Sequence, residues 1–279
     1  MLPTMPEVDG RPDGAPPSPA IAELTPIQAR EREYYNQFSE LRKDEPVCFD
    51  PIAGREQRPW NSYWEATRLA QTHYQPGRRL LDFGCGWGAH AVVYAKIGYA
   101  VDGFDLSEGN LAAARSLAER YGVASQITLT QQTAERLTYA DDSFDVIVGV
   151  DILHHVDIPA AIAECRRVLK PGGVAVFREP IRNPVLDALR NTPLVRRLRP
   201  NDASLDRHIT HDEEKLTPAD LATIRQTFPQ ATIRRFQVLS RGAAVFKNAE
   251  MTLERVDYAL RWIPGYQWWA GAVVLELRK

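Results

Sequence analysis

The stretch that decides the fold spans residues 79–89 and reads Arg-Leu-Leu-Asp-Phe-Gly-Cys-Gly-Trp-Gly-Ala. Its first five residues, Arg79–Phe83, form a short apolar run that is typical of a buried strand. The alternating glycines that follow predict a tight loop, and a helix is predicted over Ala89–Ile97. Strand, glycine loop and helix in this order predict the first unit of a parallel sheet.

The same alternation continues downstream. We predict strands at 99–104, 127–130, 144–150 and 174–177, with helices that begin after Ser107 and at Pro159. Residues 170–173 (Lys-Pro-Gly-Gly) predict a tight turn before the fifth strand. A capped helix starts near Thr217, and two last strands, 233–239 and 271–277, flank a helix near 249–262. This pattern predicts an α/β fold whose parallel sheet is covered by helices on both faces.

The remaining segments predict the domain organisation. Residues 1–20 are rich in Pro and Gly and predict a disordered leader. Residues 21–64 are amphipathic and aromatic, and predict a helical lid over the main domain at 65–279. The alternation of strands and helices ends at 180–216, which we interpret as an insertion that caps the substrate.

Composition excludes several classes of protein. The 279 residues are 44% hydrophobic and 25% charged with a net charge of −2, as expected for a soluble globular protein rather than a nucleic-acid or membrane-surface binder. No apolar run reaches the roughly 18 residues of a membrane span, and the N-terminus does not resemble a signal peptide. Three cysteines are too few for a disulfide framework, so a cytoplasmic location is expected. The oligomeric state is not indicated.

Ligands of open parallel sheets bind beyond the carboxyl ends of the strands. Here that edge carries Asp82 with the glycine loop, Asp105, residues 151–155 and Glu179. An acid about 20 residues after the first glycine suits the ribose of an adenine nucleoside, as in dinucleotide-binding proteins. Asp82, however, would repel a pyrophosphate and favour a ligand that carries an ammonium group.

Four motifs give the chain a resemblance to a known family. They are Leu-Asp-Phe-Gly-Cys-Gly-Trp-Gly at 81–88, Asp-Leu-Ser at 105–107, the region of 141–145 and 153–156, and Arg-Val-Leu-Lys-Pro-Gly-Gly at 167–173. In order and spacing the sequence resembles the class I S-adenosylmethionine-dependent methyltransferases. The resemblance implies a Rossmann-like, doubly wound, seven-stranded and mostly parallel sheet with an antiparallel last strand.

The resemblance also implies the cofactor, S-adenosyl-L-methionine, and the product S-adenosyl-L-homocysteine. By position, the glycine loop would surround the methionine moiety, Asp105 would hold the ribose, and Ala134 and Glu135 would contact the adenine. The predicted cofactor-binding residues are Asp82, Gly84, Cys85, Gly86, Gly88, Asp105, Leu106, Ala134, Glu135 and Asp151.

His154 and His155 are the candidate catalytic residues. They follow the fourth strand, and histidine titrates in the range useful for removing a hydroxyl proton; the alternative is that either one only packs in the loop. A metal site at His208 and His211 is disfavoured because these loop residues lack a third imidazole and a fixed geometry, so no metal is predicted. The predicted substrate pocket comprises Tyr35, Trp60, Tyr63, Trp64, Glu179, His208 and His211.

Together these features predict an enzyme that methylates a small organic acceptor at a hydroxyl group, and the acceptor is predicted to be a specialised metabolite. Methylation of nitrogen, of carbon or of RNA remains an alternative within the same class. An NAD-dependent oxidoreductase and a catalytically silent cofactor-binding protein are the alternatives from other classes. No nucleic-acid or membrane partner is expected.

Overall fold

The computed structural model describes residues 24–42, 45–53, 58–183, 192, 215–240 and 249–279. The predicted leader at 1–20 and most of the predicted insertion at 180–216, with His208 and His211, lie outside the described residues. Within the described part of the chain, no helix has the length and apolarity that a bilayer span requires.

A seven-stranded sheet in the order β3-β2-β1-β4-β5-β7-β6 forms the centre of the molecule. Strands β1 to β5 run parallel, and β7 runs antiparallel to both β5 and β6. The Rossmann-like fold with an antiparallel last strand is therefore confirmed. The strands are β1 Arg79–Phe83, β2 Ala100–Asp105, β3 Ile127–Gln131, β4 Phe144–Val150, β5 Leu169–Pro180, β6 Gln230–Phe236 and β7 Ala272–Arg278.

The described helices mostly start where a short polar side chain caps them. Asn61, Ser107, Asp157 and Thr217 each accept a hydrogen bond from a backbone N–H of the first turn. The helices are α1 Pro26–Arg42, α2 Asp50–Ala53, α3 Ser62–Thr72, α4 Ala89–Ile97, α5 Glu108–Arg120, α6 Ile158–Val168, α7 Pro218–Thr227 and α8 Glu250–Leu260. The predicted border between lid and main domain, at residue 64, falls inside α3.

Three local predictions differ from the structure, and the first is the strand predicted at 233–239, which is observed as β6 at Gln230–Phe236. Helix α6 begins at Ile158 rather than at Pro159, because the side chain of Asp157 accepts from the Ala160 N–H at 2.9 Å and caps the helix one residue earlier. Strand β5 begins at Leu169, so the predicted turn at 170–173 lies within its pairing with β4. A register shift between Phe144 and Val146 accommodates these extra residues.

The pleat of β1 decides which side chains meet which core layer. Leu81 and Phe83 face the layer beneath α6, whereas Leu80 faces the layer that contains α4. Because successive side chains of a strand alternate, Asp82 shares the face of Leu80 and points towards α4.

Candidate active site

A first cavity lies at the carboxyl ends of β1, β2 and β4, and we call it the cofactor cavity. Seven of the predicted cofactor-binding residues line it. They are Gly84, Gly86, Asp105, Leu106, Ala134, Glu135 and Asp151. The sequence therefore brings these residues together as expected from their places at neighbouring strand ends.

The glycine loop is shaped by Gly84 and tied to β2 by Asp105. Gly84 has a φ of +74°, and a Cβ there would lie 2.6 Å from the side chain of Ile152. Asp105 Oδ2 accepts from the Gly86 N–H at 2.9 Å, while Oδ1 accepts from the Ser107 N–H at 2.8 Å. Burial raises the pKa of Asp105. One carboxylate thus fixes both the loop and the cap of α5 while it faces the cavity.

Three predicted cofactor residues are placed elsewhere. Asp82 and Gly88 line neither the cofactor cavity nor its neighbour, and Cys85 lines only the neighbouring cavity. Asp82 is buried against the first turn of α4, and burial together with the negative charge of Asp105 raises its pKa to about 8. The pleat of β1 directs this side chain towards α4, and the predicted contact between Asp82 and an ammonium group stays a prediction.

Helix α1 covers the cofactor cavity, which the sequence did not indicate. Gln28, Glu31 and Tyr35 of this helix line the cavity. Gln28 Nε2 donates to Glu135 Oε2 at 3.0 Å, and Tyr35 Oη lies 3.2 Å from His155 Nε2. The amphipathic pattern of 21–64 predicted a lid, but no feature of it specifies that α1 contacts Glu135.

A second and larger cavity of about 920 Å³ adjoins the first, and we call it the acceptor cavity. Its walls are rich in aromatic rings, and the predicted pocket residues Tyr35, Tyr63 and Trp64 are among them. Trp60, also predicted, lies in a separate cavity, because it precedes α3 and packs against Tyr258 of α8 with ring centroids 6.3 Å apart.

The two cavities share one wall. Six residues line both of them, and they come from α1, the glycine loop and the end of β4. They are Tyr35, Gly84, Gly86, Val150, Asp151 and His155. A group at this wall can therefore reach both a cofactor and an acceptor.

His154 and His155 differ in their partners. His154 lines the acceptor cavity, and its Nδ1 lies 2.7 Å from Glu179 Oε2. Glu179 is fully buried, and its Oε1 accepts the N–H groups of Ile152 and Leu153 at 2.9 and 2.8 Å. His155 Nδ1 lies 3.3 Å from Glu31 of α1. Glu179, predicted in the substrate pocket, instead stands behind His154 because β5 directs it into the interior.

Asp151 is held in an unusual backbone conformation by its neighbours. Its φ is +54°, a left-handed value that Asp tolerates better than most residues. Its carboxylate accepts from Arg178 and, at 2.8 Å, from the hydroxyl of Tyr63. The guanidinium of Arg178 also lies 4.0 Å from the centroid of the Tyr63 ring. Burial raises the pKa of Tyr63, so its hydroxyl stays a donor.

Asp151, His154 and Glu179 place one ligand atom each within 4.8 Å of one another, which is compatible with a metal ion. Their oxygens already accept from Arg178, from Tyr63 and from two backbone amides. A cation there would compete with the guanidinium of Arg178, so the site fits an ion poorly.

Comparison with known proteins agrees with this geometry. Residues 81–177 match the sequence profile of the methyltransferase domain family. A ubiquinone biosynthesis O-methyltransferase of Dinoroseobacter shibae is 33% identical over 174 residues, which cover 58% of this chain and 64% of the relative. Methyltransferase GfsG of Streptomyces halstedii is 32% identical over 172 residues, covering 56% of this chain and 60% of that protein. The chain thus spans less than two thirds of these relatives.

Solved structures show the same fold at lower identity. Geranyl diphosphate C-methyltransferase from Streptomyces coelicolor A3(2) superposes with a TM-score of 0.61 at 16% identity, over 93% of this chain and 99% of that one. The [4+2]-cyclase SpnF superposes with a TM-score of 0.57 at 22% identity, over 96% and 99%. Through residues 81–177 the chain is thus similar to the methyltransferase domain family, in agreement with the resemblance of its motifs to the class I S-adenosylmethionine-dependent methyltransferases.

Proposed function

We propose that this protein transfers a methyl group from S-adenosylmethionine to an oxygen atom of a small organic acceptor. The observation that carries the proposal is the wall shared by the cofactor and acceptor cavities. The bound cofactor supplies an electrophilic methyl group. The protein's own contribution is to hold both reactants in line and to exclude water, which is where most of the acceleration of such a displacement arises.

The residues of the cofactor cavity fit this group. The backbone at Gly84 and Gly86 approaches the cavity without a Cβ, as close contact with a methionine moiety requires. Asp105 presents a carboxylate at the end of β2, where a ribose would lie, and its remaining lone pairs can accept from the ribose hydroxyls. These features support the cofactor assignment independently of the relatives.

The acceptor is proposed to be a largely apolar molecule with a phenolic hydroxyl. Aromatic walls such as Tyr34, Phe38 and Trp64 suit a flat apolar acceptor, and a volume of about 920 Å³ admits one of substantial size. Relatives named ubiquinone biosynthesis O-methyltransferases support an oxygen acceptor. That the acceptor is a specialised metabolite stays a prediction from the sequence.

His154 is the proposed general base. With its Nδ1–H donated to Glu179, the lone pair of the neutral imidazole is placed on Nε2, on the ring that lines the acceptor cavity. Removing the hydroxyl proton as the oxygen attacks contributes roughly 10²–10⁴-fold to such reactions. Glu179 acts as a positioning residue, since it fixes the tautomer and the orientation of the ring.

The test compares His154→Ala with His73→Ala, a control histidine that pairs with Glu276 away from the cavities. We expect His154→Ala to lower kcat by roughly tenfold or more while the Kd for S-adenosylhomocysteine, measured by calorimetry, stays within twofold. The wild-type rate should rise with pH through the histidine range, since only neutral imidazole accepts a proton. Normal turnover of His154→Ala with a flat pH profile would contradict the assignment and favour a nitrogen or carbon acceptor.

A further inference from the structure

The exposed apolar side chains of the described residues are concentrated in one place. Six of the nine large hydrophobic residues that are exposed belong to α8 and the turn that follows it. They are Met251, Val256, Trp262, Ile263, Trp268 and Trp269. Single exposed apolar residues are ordinary, but a cluster of this kind marks a contact surface.

The described side chains of helix α8 are distributed in the opposite way to those of an ordinary surface helix, with acids buried and apolar residues exposed. Its acids Glu254 and Asp257 face inward, where Asp257 accepts from the backbone N–H groups of Val238, Leu239 and Ser240, and Glu254 accepts from Asn61. Among the side chains of α8 that the structure describes, those from 251 to 260, the exposed ones are apolar except for Thr252 and Arg255. A helix that stays in water normally has the opposite arrangement.

The turn after α8 is fixed by polar contacts rather than by burial of its large side chains. Tyr266 donates to Asp257 at 2.6 Å, Gln267 donates to the carbonyl of Arg261 at 2.8 Å, and Asn183 donates to the carbonyl of Trp268 at 3.1 Å. These bonds hold the backbone while Trp262 and Trp268 remain 79% and 80% exposed. The two indoles therefore project from a rigid support.

The charge of this surface indicates what it contacts. The two acids of residues 251–269 are both buried, whereas Arg255 is exposed and Arg261 is half-buried against the rings of Tyr258 and Trp262. Tryptophan beside arginine, with no exposed acid, is the composition that places a protein at the headgroup level of an anionic bilayer.

We propose that residues 251–269 form a docking surface for an anionic phospholipid bilayer, into which Trp262, Ile263 and Trp268 insert. The net charge of −2 predicted no membrane partner, but net charge describes the average surface of the protein and not one face of it. The surface also lies close to the acceptor cavity: Trp268 and Trp269 share a groove with Ile181 and Leu216, whose chain neighbours Pro180 and Lys215 line that cavity. The proposal does not depend on the proposed methyl transfer, because binding is measured without turnover.

The experiment measures partition of the full-length protein onto vesicles of phosphatidylcholine with phosphatidylglycerol, by cosedimentation and by tryptophan fluorescence. The double variant Trp262→Ser/Trp268→Ser is compared with Ile27→Ser, which removes an exposed apolar residue of α1 instead. We expect the double variant to lose roughly tenfold or more of the partition coefficient, the control to retain it, and wild-type emission to shift to the blue on binding.

The variants replace exposed side chains, so circular dichroism is expected to show an unchanged fold. Equal partition of the wild type and the double variant, or no binding to the vesicles, overturns the proposal. A dimer in sedimentation experiments that both substitutions dissociate, with no binding to vesicles, also overturns it and assigns the surface to a second copy of the chain.

Discussion

Asp82 is a buried acid whose protonation links the stability of the fold to pH. Burial, followed by the charge of Asp105, raises its pKa from 3.8 to about 8 in the folded state. The folded protein therefore binds a proton that the unfolded chain releases, so this group stabilises the fold at low pH and the contribution is lost as pH rises towards 8. We expect the free energy of unfolding of the wild type to fall, relative to that of Asp82→Asn, between about pH 4 and pH 8.

Urea unfolding of both proteins across this range tests the expectation. The side chain of Asp82→Asn is uncharged at every pH and has the shape of the protonated acid. The variant therefore serves as the reference for the wild type. Two stability curves that stay parallel with pH would show that Asp82 is ionised in the folded protein.

Asp105 has a different task, because its carboxylate both orders the glycine loop and faces the cofactor cavity. Asp105→Ala removes an acceptor for charge-assisted hydrogen bonds worth about 1.5–3 kcal/mol each. Calorimetry should show S-adenosylhomocysteine binding weakened by roughly tenfold or more. Asp145→Asn, at the opposite end of the sheet beside Lys170, is the matched control and should bind normally. Unchanged affinity of Asp105→Ala would refute the ribose assignment.

Among the secondary-structure elements, α1 governs access to the cofactor cavity. Because Gln28, Glu31 and Tyr35 of α1 line the cofactor cavity, we expect a ligand to enter and leave past this helix. Its hold on α5 comes from Asn36, whose Oδ1 accepts from Ser107 Oγ at 2.7 Å and from the Gly109 N–H at 3.1 Å. Gly109 allows this approach, since a Cβ there would lie 2.7 Å from Ser39 Oγ.

Asn36→Ala should therefore loosen α1 without removing a residue that lines the cofactor cavity. Two hydrogen bonds of about 1 kcal/mol each correspond to a dissociation rate of S-adenosylhomocysteine up to roughly 30-fold faster. Stopped-flow fluorescence measures that rate. Gln37→Ala, next in the chain and hydrogen-bonded to Glu33 on the exposed side of α1, is the control. Equal dissociation rates of the two variants would mean that α1 does not limit release.

At the scale of the whole molecule, a bound ligand raises the free energy of unfolding, because α1, the glycine loop and the strand ends enclose it only in the folded protein. S-adenosylhomocysteine at about 100 times its Kd should stabilise the fold by about 2.7 kcal/mol, whereas NAD should not. Differential scanning fluorimetry with each ligand separates a methyltransferase from an oxidoreductase. A rise in Tm with NAD alone would contradict the cofactor assignment, and deletion of residues 1–20 is expected to leave the response intact.

The sequence predicts those structural features that depend on residues close together in the chain, and it does not predict those that depend on tertiary packing. The strands from Arg79 to Phe177 and the cap at Ser107 follow from short-range patterns, so both the fold and seven of the cofactor-cavity residues could be predicted. The inward turn of Asp82 depends on the phase of the pleat, which the apolar run around it does not reveal. The bonds of Arg178 to Asp151 and of Glu179 to His154 join separate strand ends, and only tertiary packing brings them together.

The pairing of Ile181 with Leu216 indicates where acceptor selectivity could change during evolution under the proposed function. The Arg182 N–H donates to the Leu216 carbonyl at 2.8 Å, and the Leu216 N–H donates to the Pro180 carbonyl at 3.1 Å. The segment that leaves the sheet after β5 is therefore paired with the segment that returns before α7. Doubling the length of a flexible segment between fixed ends costs only about 0.6 kcal/mol. Under the proposed function, we therefore expect that residues inserted between the paired ends at Ile181 and Leu216 would alter selectivity for the acceptor while the sheet and the cofactor cavity stay intact.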